Sequence, residues 1–222
     1  KKNRTQHGLF IVEGEKGIAD ALANGLAPYL LLSSQAQSTA NSFEKISDIA
    51  LSQISALKNP NGHLGVFRIP KQGKLNFKDW VVVLDGLQDP GNLGSILRSA
   101  SASGVDLVYL SDHCADIWSP KVLRGGQGAH FYLPCIENAV FSDITKAFKG
   151  KIFATELTGK SVFKENLKGP VAFIFGNEGN GLQSETIGLA SDSIHIPMEK
   201  GIESLNVSAA VSICLYEKYR QE

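Results

Sequence analysis

Apolar positions in the first 70 residues alternate between strand-like runs and helix-like spacings. The runs "GLFIVEG", "PYLLLSS" and "HLGVFRIP" predict three strands. Between the first two, "EKGIADALANG" predicts a helix that ends at Gly25. In "SFEKISDIALSQISALKNPNG", a second helical face is predicted from Ile46, Ile49, Ala50, Ile54 and Leu57. We therefore expect a small α/β domain over residues 1–70.

The rest of the chain repeats this alternation after a polar stretch, "KQGKLNFKD", in which we interpret residues 71–78 as a linker. Beyond it, strands are predicted in "WVVVLDGL", "VDLVYLS", "KIFATEL", "PVAFIFG" and "SIHIPM". Helices are expected between them, the first in "NLGSILRSASASG". This order predicts a second α/β domain over residues 79–222, with a mostly parallel sheet that binds ligands beyond the carboxyl ends of its strands.

The chain closes with "IPMEKGIESLNVSAAVSICLYEKYR", which is apolar and helical in spacing from Val207 onward. Ser204 and Asn206 stand at the start of this predicted helix, and both residue types are good N-caps. Capping alone is one explanation for them. A functional role at the mouth of the helix is the other.

Composition narrows the class of protein without identifying an activity. Hydrophobic residues make up 43% and charged residues 20% of the 222, which is typical of a soluble globular protein, and no apolar run reaches membrane-spanning length. The formal net charge is zero, so any contact with nucleic acid must use a local basic patch. Three cysteines without metal-type spacing favour a reducing compartment and hence the cytoplasm. Because the chain begins at Lys1 rather than at methionine, we expect native residues before it.

The loop after the first strand of the larger domain reads "LDGLQDPGNLGSILRSA". Here Asn92 is placed to cap the following helix, and Arg98 is close enough to the helix start to reach back toward the loop. The alternative is a cap and a solvated arginine with no further role. Neither GxGxxG nor the lysine of a P-loop is present, so dinucleotide and nucleoside triphosphate binding find no support.

A second loop, "IFGNEGNGLQSE", concentrates glycine around polar side chains. Gly176, Gly179 and Gly181 allow the backbone to approach a ligand closely, with Glu178 between them. A wide turn with Glu178 in water is the alternative explanation. Both loops and the start of the last helix are expected at the same edge of one sheet.

Taken in order, Asn92 to Arg98, "FGNEGNGL" and "IPMEKGIESLNVSAAVSICLYE" resemble the three motifs of the SpoU (TrmH-type) RNA 2′-O-ribose methyltransferases of the SPOUT class. The resemblance covers residues 80–222, including "SPKVLRGGQGAHFYLPC" between the motifs. The N-terminal "GLFIVEGEKGIADAL" and "NPNGHLGVF" are similar to the small ribosomal-protein-like domain that binds substrate RNA in many members.

The resemblance implies an S-adenosylmethionine (AdoMet) site formed by a C-terminal trefoil knot, and no metal. True knots are nearly absent from protein folds, so no periodicity argument predicts one. By position in the motifs, the residues expected to bind the cofactor are Thr155, Gly176, Asn177, Gly179, Ile196, Pro197, Met198 and Leu205.

The implied reaction transfers a methyl group to a ribose 2′-hydroxyl, and the family assigns proton abstraction to the arginine that corresponds to Arg98. Arginine normally donates protons, so gripping the adjacent phosphate and stabilising the alkoxide is the alternative role. The resemblance further implies that the catalytic geometry is held by Asn92, Glu178, Ser204 and Asn206. RNA contacts are expected at Arg98, Lys121 and Arg124, although a surface salt bridge is an equal alternative for Arg124.

The N-terminal domain favours ribosomal RNA, of the large-subunit 23S type, over tRNA. The alternatives are a tRNA 2′-O-methyltransferase and a non-catalytic RNA-binding member of the same fold. Family members are homodimers that pair their C-terminal helices, which the apolar residues up to Tyr216 and Tyr219 permit. The histidines carry no metal-binding pattern, and structural or solvated roles are expected for His7, His63, His113 and His195.

Overall fold

The computed structural model describes residues 2–35, 43–71 and 79–222. Its first part consists of α1 (Lys2–His7), β1 (Leu9–Glu13), α2 (Glu15–Ala23), β2 (Pro28–Ser33), β3 (Glu44–Lys45), α3 (Asp48–Ile54) and β4 (His63–Arg68). These strands form a sheet in the order β1-β4-β2-β3, in which β4 is antiparallel to both β1 and β2. The three strands predicted from hydrophobic runs are all present.

The helix predicted across residues 42–62 is much shorter than expected. Ser47 starts α3 by accepting a hydrogen bond from the Ala50 N–H at 3.1 Å, directly after β3 has paired with β2. That cap fixes where the helix starts and therefore which side chains face the core. Leu51 is buried, while Ile49 and Ile54 are 73% and 48% exposed. The predicted isoleucine face was therefore wrong, because the strand and the cap set the rotation of a two-turn helix.

The second part begins with β5 (Trp80–Leu84), α4 (Pro90–Ser103), β6 (Leu107–Leu110), α5 (Pro120–Gly126), α6 (Ala129–Tyr132), β7 (Cys135–Ile136) and α7 (Phe141–Ala147). It continues with β8 (Lys151–Ser161), a 3₁₀ turn (Val162–Lys164), β9 (Val171–Phe175), α8 (Ser184–Ile187), β10 (Asp192–His195) and α9 (Val207–Gln221). The sheet order is β10-β8-β9-β5-β6-β7, and each neighbouring pair is parallel. The predicted parallel sheet is confirmed, whereas residues 72–78 of the predicted linker lie outside the described residues.

Burial explains why the central strands are continuous apolar runs. Each residue of β5 and β9 is buried, because helices cover both faces of the sheet. One face packs against α4 and α9, and the other packs against Ile144 and Phe148 around α7. Within the described ranges, no helix is both long and apolar enough to cross a membrane.

The small sheet packs directly against the larger part of the chain. The Phe10 ring of β1 lies 4.6 Å, centroid to centroid, from the Trp118 ring just before α5. Nearby, Arg4 Nη2 lies 2.6 Å from Asp116 Oδ2. Both aromatic side chains belong to one hydrophobic cluster that continues into the core of the second sheet. Their shared burial fixes the small sheet against the α5 region.

Helix α9 is held at both ends. Its N-cap is Asn206, and near its C-terminal end the buried Lys218 donates to the carbonyl oxygens of Leu167 and Gly169 at 3.1 and 3.0 Å. The Lys218 ammonium also lies 5.0 Å from the centre of the Trp80 ring. These contacts replace the hydration that the buried charge loses, and they position the helix that follows the last motif.

His130 makes stability depend on pH. Its ring is buried in α6, 5.8 Å from Trp118, and burial lowers its pKa from about 6.5 to about 4. Because the folded pKa is lowered, its contribution is complete above pH 6.5 and is lost as pH falls toward 4. We expect up to about 3 kcal/mol of unfolding free energy to disappear over this window.

The measurement is urea unfolding at a series of pH values for the parent and for His130→Leu. Carboxylates that titrate in the same pH range are present in both proteins, so their contribution cancels when the two unfolding free energies are subtracted. The pH dependence that remains belongs to His130. A difference that stays constant from pH 7 to pH 4 would refute the assignment.

Candidate active site

A cavity of about 610 Å³ lies at the carboxyl ends of β9 and β10 and against the middle of β8. Seven of the eight residues predicted to bind cofactor line it: Thr155, Gly176, Asn177, Gly179, Ile196, Met198 and Leu205. The predicted catalytic residues Glu178 and Ser204 line it as well. Pro197 is exposed and does not line the cavity, although both of its neighbours do.

One wall is the glycine-rich loop after β9. Asn177 and Gly181 exchange two backbone hydrogen bonds, 3.1 and 2.9 Å long, which close the loop. The Asn177 side chain donates to the Gly86 carbonyl at 2.7 Å and accepts from the Gly179 N–H at 2.8 Å. A Cβ on Gly176 would lie 2.5 Å from the Leu182 nitrogen and closer still to the Gly181 carbonyl group. Close backbone contact therefore requires glycine at position 176.

The opposite wall comes from a bulge in β8. Along β10, Ser193 pairs with Ala154, but the next residue, Ile194, pairs with Lys160. Residues 155–159 of β8 therefore bulge out of the ladder, and all but the last of them line the cavity. A strand through "KIFATEL" was predicted and Thr155 was expected to bind cofactor, but the bulge and the neighbouring wall residues 156–158 were not predicted. In the sequence, a glycine at position 159 was the signal for an irregularity in this strand. In the structure its φ is +109°, a backbone conformation that favours glycine.

Glu156 is a cavity residue that the sequence analysis did not single out. Its carboxylate accepts a hydrogen bond from Ser193 Oγ at 2.8 Å. The bulge of β8 is what turns this polar group into the cavity wall. The cavity thus combines the carboxylates of Glu156, Glu178 and Glu203 with backbone groups of the glycine loop and apolar side chains.

The three motifs meet in a chain of hydrogen bonds at the rim of the cavity. Asn92 Nδ2 donates to Glu178 Oε1 at 3.1 Å, and Asn206 Nδ2 donates to Asn92 Oδ1 at 3.0 Å. The same Asn206 caps α9, since its Oδ1 accepts from the Ser208 N–H at 2.9 Å. Capping and a contact between motifs therefore coexist in one side chain.

Asn92 itself is not the cap of α4, which corrects the sequence-based expectation. Asp89 fills that position, with its Oδ1 accepting from the Asn92 N–H at 2.8 Å. The pKa of Asp89 is lowered, chiefly because this backbone donor stabilises its charged form. With the cap supplied by Asp89, the Asn92 amide is free to join Glu178 and Asn206.

Arg98 lies on the third turn of α4 and is exposed. Among the described residues, its guanidinium has no hydrogen bond or ion pair. The adjacent Ser99 contacts α9, because Ser212 Oγ donates to Ser99 Oγ at 2.8 Å. With no partner among the described residues, the exposed Arg98 guanidinium is available to bind a phosphate or an oxyanion.

Lys121 and Arg124 lie outside the 610 Å³ cavity, on α5. Lys121 Nζ is 3.8 Å from Asp89 Oδ2, so this lysine stands beside the N-terminus of α4. Arg124 is exposed and pairs with no carboxylate within the described ranges. Both line a second cleft, of about 730 Å³, that separates α5 from β1 and the start of α2, where Lys16 faces them.

Two observations limit the chemistry of the site. Cys214 lines the cavity, but burial raises the pKa of its thiol to about 12, so it remains protonated and is a poor nucleophile. In the part of the chain that the structure describes, no three His, Cys, Asp or Glu side chains are grouped to hold a metal ion.

Comparison with known proteins agrees with this geometry. The model of the SpoU rRNA methylase family matches residues 79–216. The 23S rRNA (guanosine(2553)-2′-O)-methyltransferase RlmP of Bacillus subtilis is 32% identical, over 97% of this chain and 90% of its own length.

Solved structures extend the similarity to the whole chain. The SpoU methyltransferase AviRb of Streptomyces viridochromogenes, in complex with AdoMet, superposes with a TM-score of 0.89 at 27% identity, covering 100% of this chain and 93% of its own. An AdoMet-bound rRNA methyltransferase of Sinorhizobium meliloti gives a TM-score of 0.89 at 28% identity, with 99% and 90% covered.

Proposed function

Because this chain belongs to the SpoU rRNA methylase family, we propose that it transfers the methyl group of AdoMet to a ribose 2′-hydroxyl of ribosomal RNA. The observation that carries this proposal for the present residues is the hydrogen-bonded chain of Glu178, Asn92 and Asn206 at the rim of the cavity. It joins all three motifs at one place. The 23S rRNA methyltransferase of Bacillus subtilis among its relatives favours the large-subunit type of substrate over tRNA.

The cavity suits AdoMet. Ile196, Met198 and Leu205 offer apolar walls for the adenine, and the backbone groups of the loop at Gly176 and Gly179 offer hydrogen bonds to polar ends. When bound, AdoMet supplies an electrophilic methyl group on a positively charged sulfur. The residues of the chain then hold this methyl group toward the rim, where Asn92, Glu178 and Asn206 orient the substrate ribose.

Alignment of the attacking oxygen with the methyl group accounts for much of the expected acceleration. Holding two reactants in line contributes about 7–11 kcal/mol in favourable cases. Arg98 adds a charge that grips the adjacent phosphate and stabilises the developing alkoxide, with the phosphate or a water accepting the proton. Its exposure supports this role, and so does the fact that no carboxylate of the described residues pairs with the guanidinium.

RNA reaches the site, in this proposal, over the small domain of residues 1–70 and the α5 region. Lys121 and Arg124 face Lys16 across the 730 Å³ cleft, which places cations on both sides of a groove. Glu13, Glu15 and Asp20 line the same cleft, so the contact is local rather than a strongly basic surface.

The active form is proposed to be a cytoplasmic homodimer with a C-terminal trefoil knot. Tyr216 and Tyr219 support the dimer, since they lie side by side on α9 and are 49% and 59% exposed. Membership of the family supports the knot, and the free thiols of Cys114, Cys135 and Cys214 support a reducing compartment.

The proposed reaction is tested by methyl transfer from radiolabelled AdoMet to unmodified transcripts of large-subunit rRNA and to tRNA. We expect label in the rRNA at a position that resists alkaline cleavage, because a methylated 2′-oxygen cannot attack the adjacent phosphate. Titration calorimetry with AdoMet and NAD accompanies the assay. AdoMet binding without methylation of any RNA would favour a non-catalytic member, and binding of NAD alone would overturn the proposal.

Two variants of Asn206 separate its two contacts. Asn206→Asp keeps the capping oxygen but loses the amide that donates to Asn92, so we expect unchanged stability and at least a ten-fold fall in kcat. Asn206→Ala loses both, and the missing cap costs about 1 kcal/mol of unfolding free energy as well. Urea unfolding and single-turnover rates distinguish them. Equal rates for Asn206→Asp and the parent would leave capping as the only role.

A further inference from the structure

One end of the small sheet gathers three separate segments. Arg68, the last residue of β4, is paired with Leu9 at the start of β1, and its neighbour Phe67 is paired with Pro28 at the start of β2. The Ile69 N–H then donates to the Gly8 carbonyl at 2.8 Å. The beginnings of β1 and β2 and the end of β4 therefore lie together at one end of the small sheet.

This end carries basic charge and no acidic residue of its own. Residues 2–9, 26–32 and 66–71 contain no aspartate or glutamate, although the chain as a whole is neutral. Arg4 is neutralised by Asp116 from the larger part of the chain. Arg68, by contrast, has no hydrogen bond or ion pair with any described carboxylate. Its only recorded partner there is an aromatic ring.

That ring belongs to Tyr29, which stands at an irregularity in β2. The register shifts between Pro28 and Leu30, so Tyr29 is left without a partner on β4. Its side chain is 59% exposed, and Arg68 Cζ lies 5.3 Å from the ring centre. The pair therefore presents an aromatic ring and a guanidinium together at the surface, outside the buried core.

A shallow apolar groove of about 250 Å³ begins beside this pair. It is lined by Leu9, the residue opposite Arg68, together with Ile11 and Val66. Its far side is Pro120, the first residue of α5, which also lines the 730 Å³ cleft of Lys121 and Arg124. The groove thus extends from Leu9, the strand partner of Arg68, to the first residue of the cationic helix α5.

We propose that Tyr29 and Arg68 form a stacking platform for an unpaired base of the RNA substrate, with the flanking nucleotide lying in the apolar groove. Each nucleobase has an aromatic face, so a tyrosine ring and a planar guanidinium bind single strands with little sequence preference. The guanidinium also neutralises a nearby phosphate, which matches the absence of acidic residues at this end. The inference rests on the proposed function, because it takes RNA as the substrate.

The test measures binding of a labelled single-stranded oligouridylate and of a matched duplex by fluorescence anisotropy. We expect Tyr29→Ala to weaken single-strand binding about five-fold to one-hundred-fold, the usual cost of losing one stacked base. Tyr29→Phe keeps the ring and stays within about two-fold of the parent. Arg68→Ala is expected to weaken binding and to lower the slope of log K against log salt concentration by the equivalent of about one phosphate contact. Arg68→Lys is expected to restore that slope but not the full affinity.

Matched controls come from the other side of the molecule. Phe163→Ala removes an aromatic side chain that is 51% exposed, and Lys149→Ala removes an exposed cation. Both are expected to bind the oligonucleotide as the parent does. Circular dichroism checks that Tyr29→Ala remains folded.

The outcomes separate this inference from the proposed function. If Tyr29→Ala binds single strands as tightly as the parent, or weakens duplex binding equally, the platform is refuted even while the parent methylates rRNA. If binding depends on Tyr29 but the parent methylates no RNA, the platform stands and the methyltransferase assignment fails. A parent that binds no single-stranded RNA refutes the platform directly.

Discussion

Arg98→Ala is expected to reduce kcat for methyl transfer by about 10³-fold, while the Kd for AdoMet changes by less than about two-fold. The size follows from the loss of one charged group that stabilises developing negative charge, which costs about 10²–10³-fold in comparable sites. The loss of its grip on the adjacent phosphate adds to this. AdoMet binding survives because Arg98 does not line the 610 Å³ cavity. Single-turnover rates and calorimetry measure the two quantities separately.

Two companion variants make this result specific. Arg98→Lys keeps a positive charge but loses the planar fork, so we expect only partial recovery of kcat. Ser95→Ala changes an exposed residue of the same helix, without a recorded hydrogen bond among the described residues, and leaves the rate at the parent value. If Arg98→Ala turns over normally, the catalytic role assigned to the guanidinium is wrong.

Gly176→Ala is expected to abolish measurable AdoMet binding, which corresponds to a rise in Kd of at least about 10²-fold. The added methyl group would collide with the backbone of Gly181 and Leu182, neither of which is a side chain that can turn away. Relief requires the loop closed by Asn177 and Gly181 to move, and that loop is the wall of the cavity. Overpacking of this kind also lowers stability by about 1–3 kcal/mol.

Gly188→Ala is the matched control for this loop. Gly188 lies at the end of α8 with φ −61°, and a Cβ there makes ordinary contacts at 3.5 Å. It should bind AdoMet and methylate RNA as the parent does. Full AdoMet binding by Gly176→Ala would show that the loop can move without disrupting the cofactor site. Close backbone contact would then not be the reason why residue 176 is a glycine.

Local sequence predicted the strands and the final helix well, because their signals depend on burial within one element. The run at Trp80–Leu84 is apolar because helices cover both of its faces, and Asn206 begins α9 by ordinary capping. The strand pattern predicted that the loops carrying Asn92, Glu178 and Asn206 lie at the same edge of one sheet. A joint role for these three side chains was expected only from the family motifs, since no periodicity relates residues so far apart in the chain.

The failures have nonlocal causes. The bulge at residues 155–159 depends on how β10 pairs with β8, and neither strand encodes that register by itself. The N-cap of α4 is Asp89 rather than the predicted Asn92. Pro90 can occupy the first turn of a helix, so α4 starts earlier than its apolar pattern suggests. Tyr29 could not be singled out from the sequence, because an exposed tyrosine becomes informative only through the contact with Arg68 that the fold creates.

The contact between Phe10 and Trp118 has a consequence for how a substrate is chosen. Since both rings are sealed in one cluster with the core of the methyltransferase part, swinging the small sheet away would expose them to water. We therefore expect the small sheet and the methyltransferase part to move as one rigid unit. In that case, a substrate RNA would be selected by whether its own folded shape spans the fixed distance between the small sheet and the cavity, before any base is recognised.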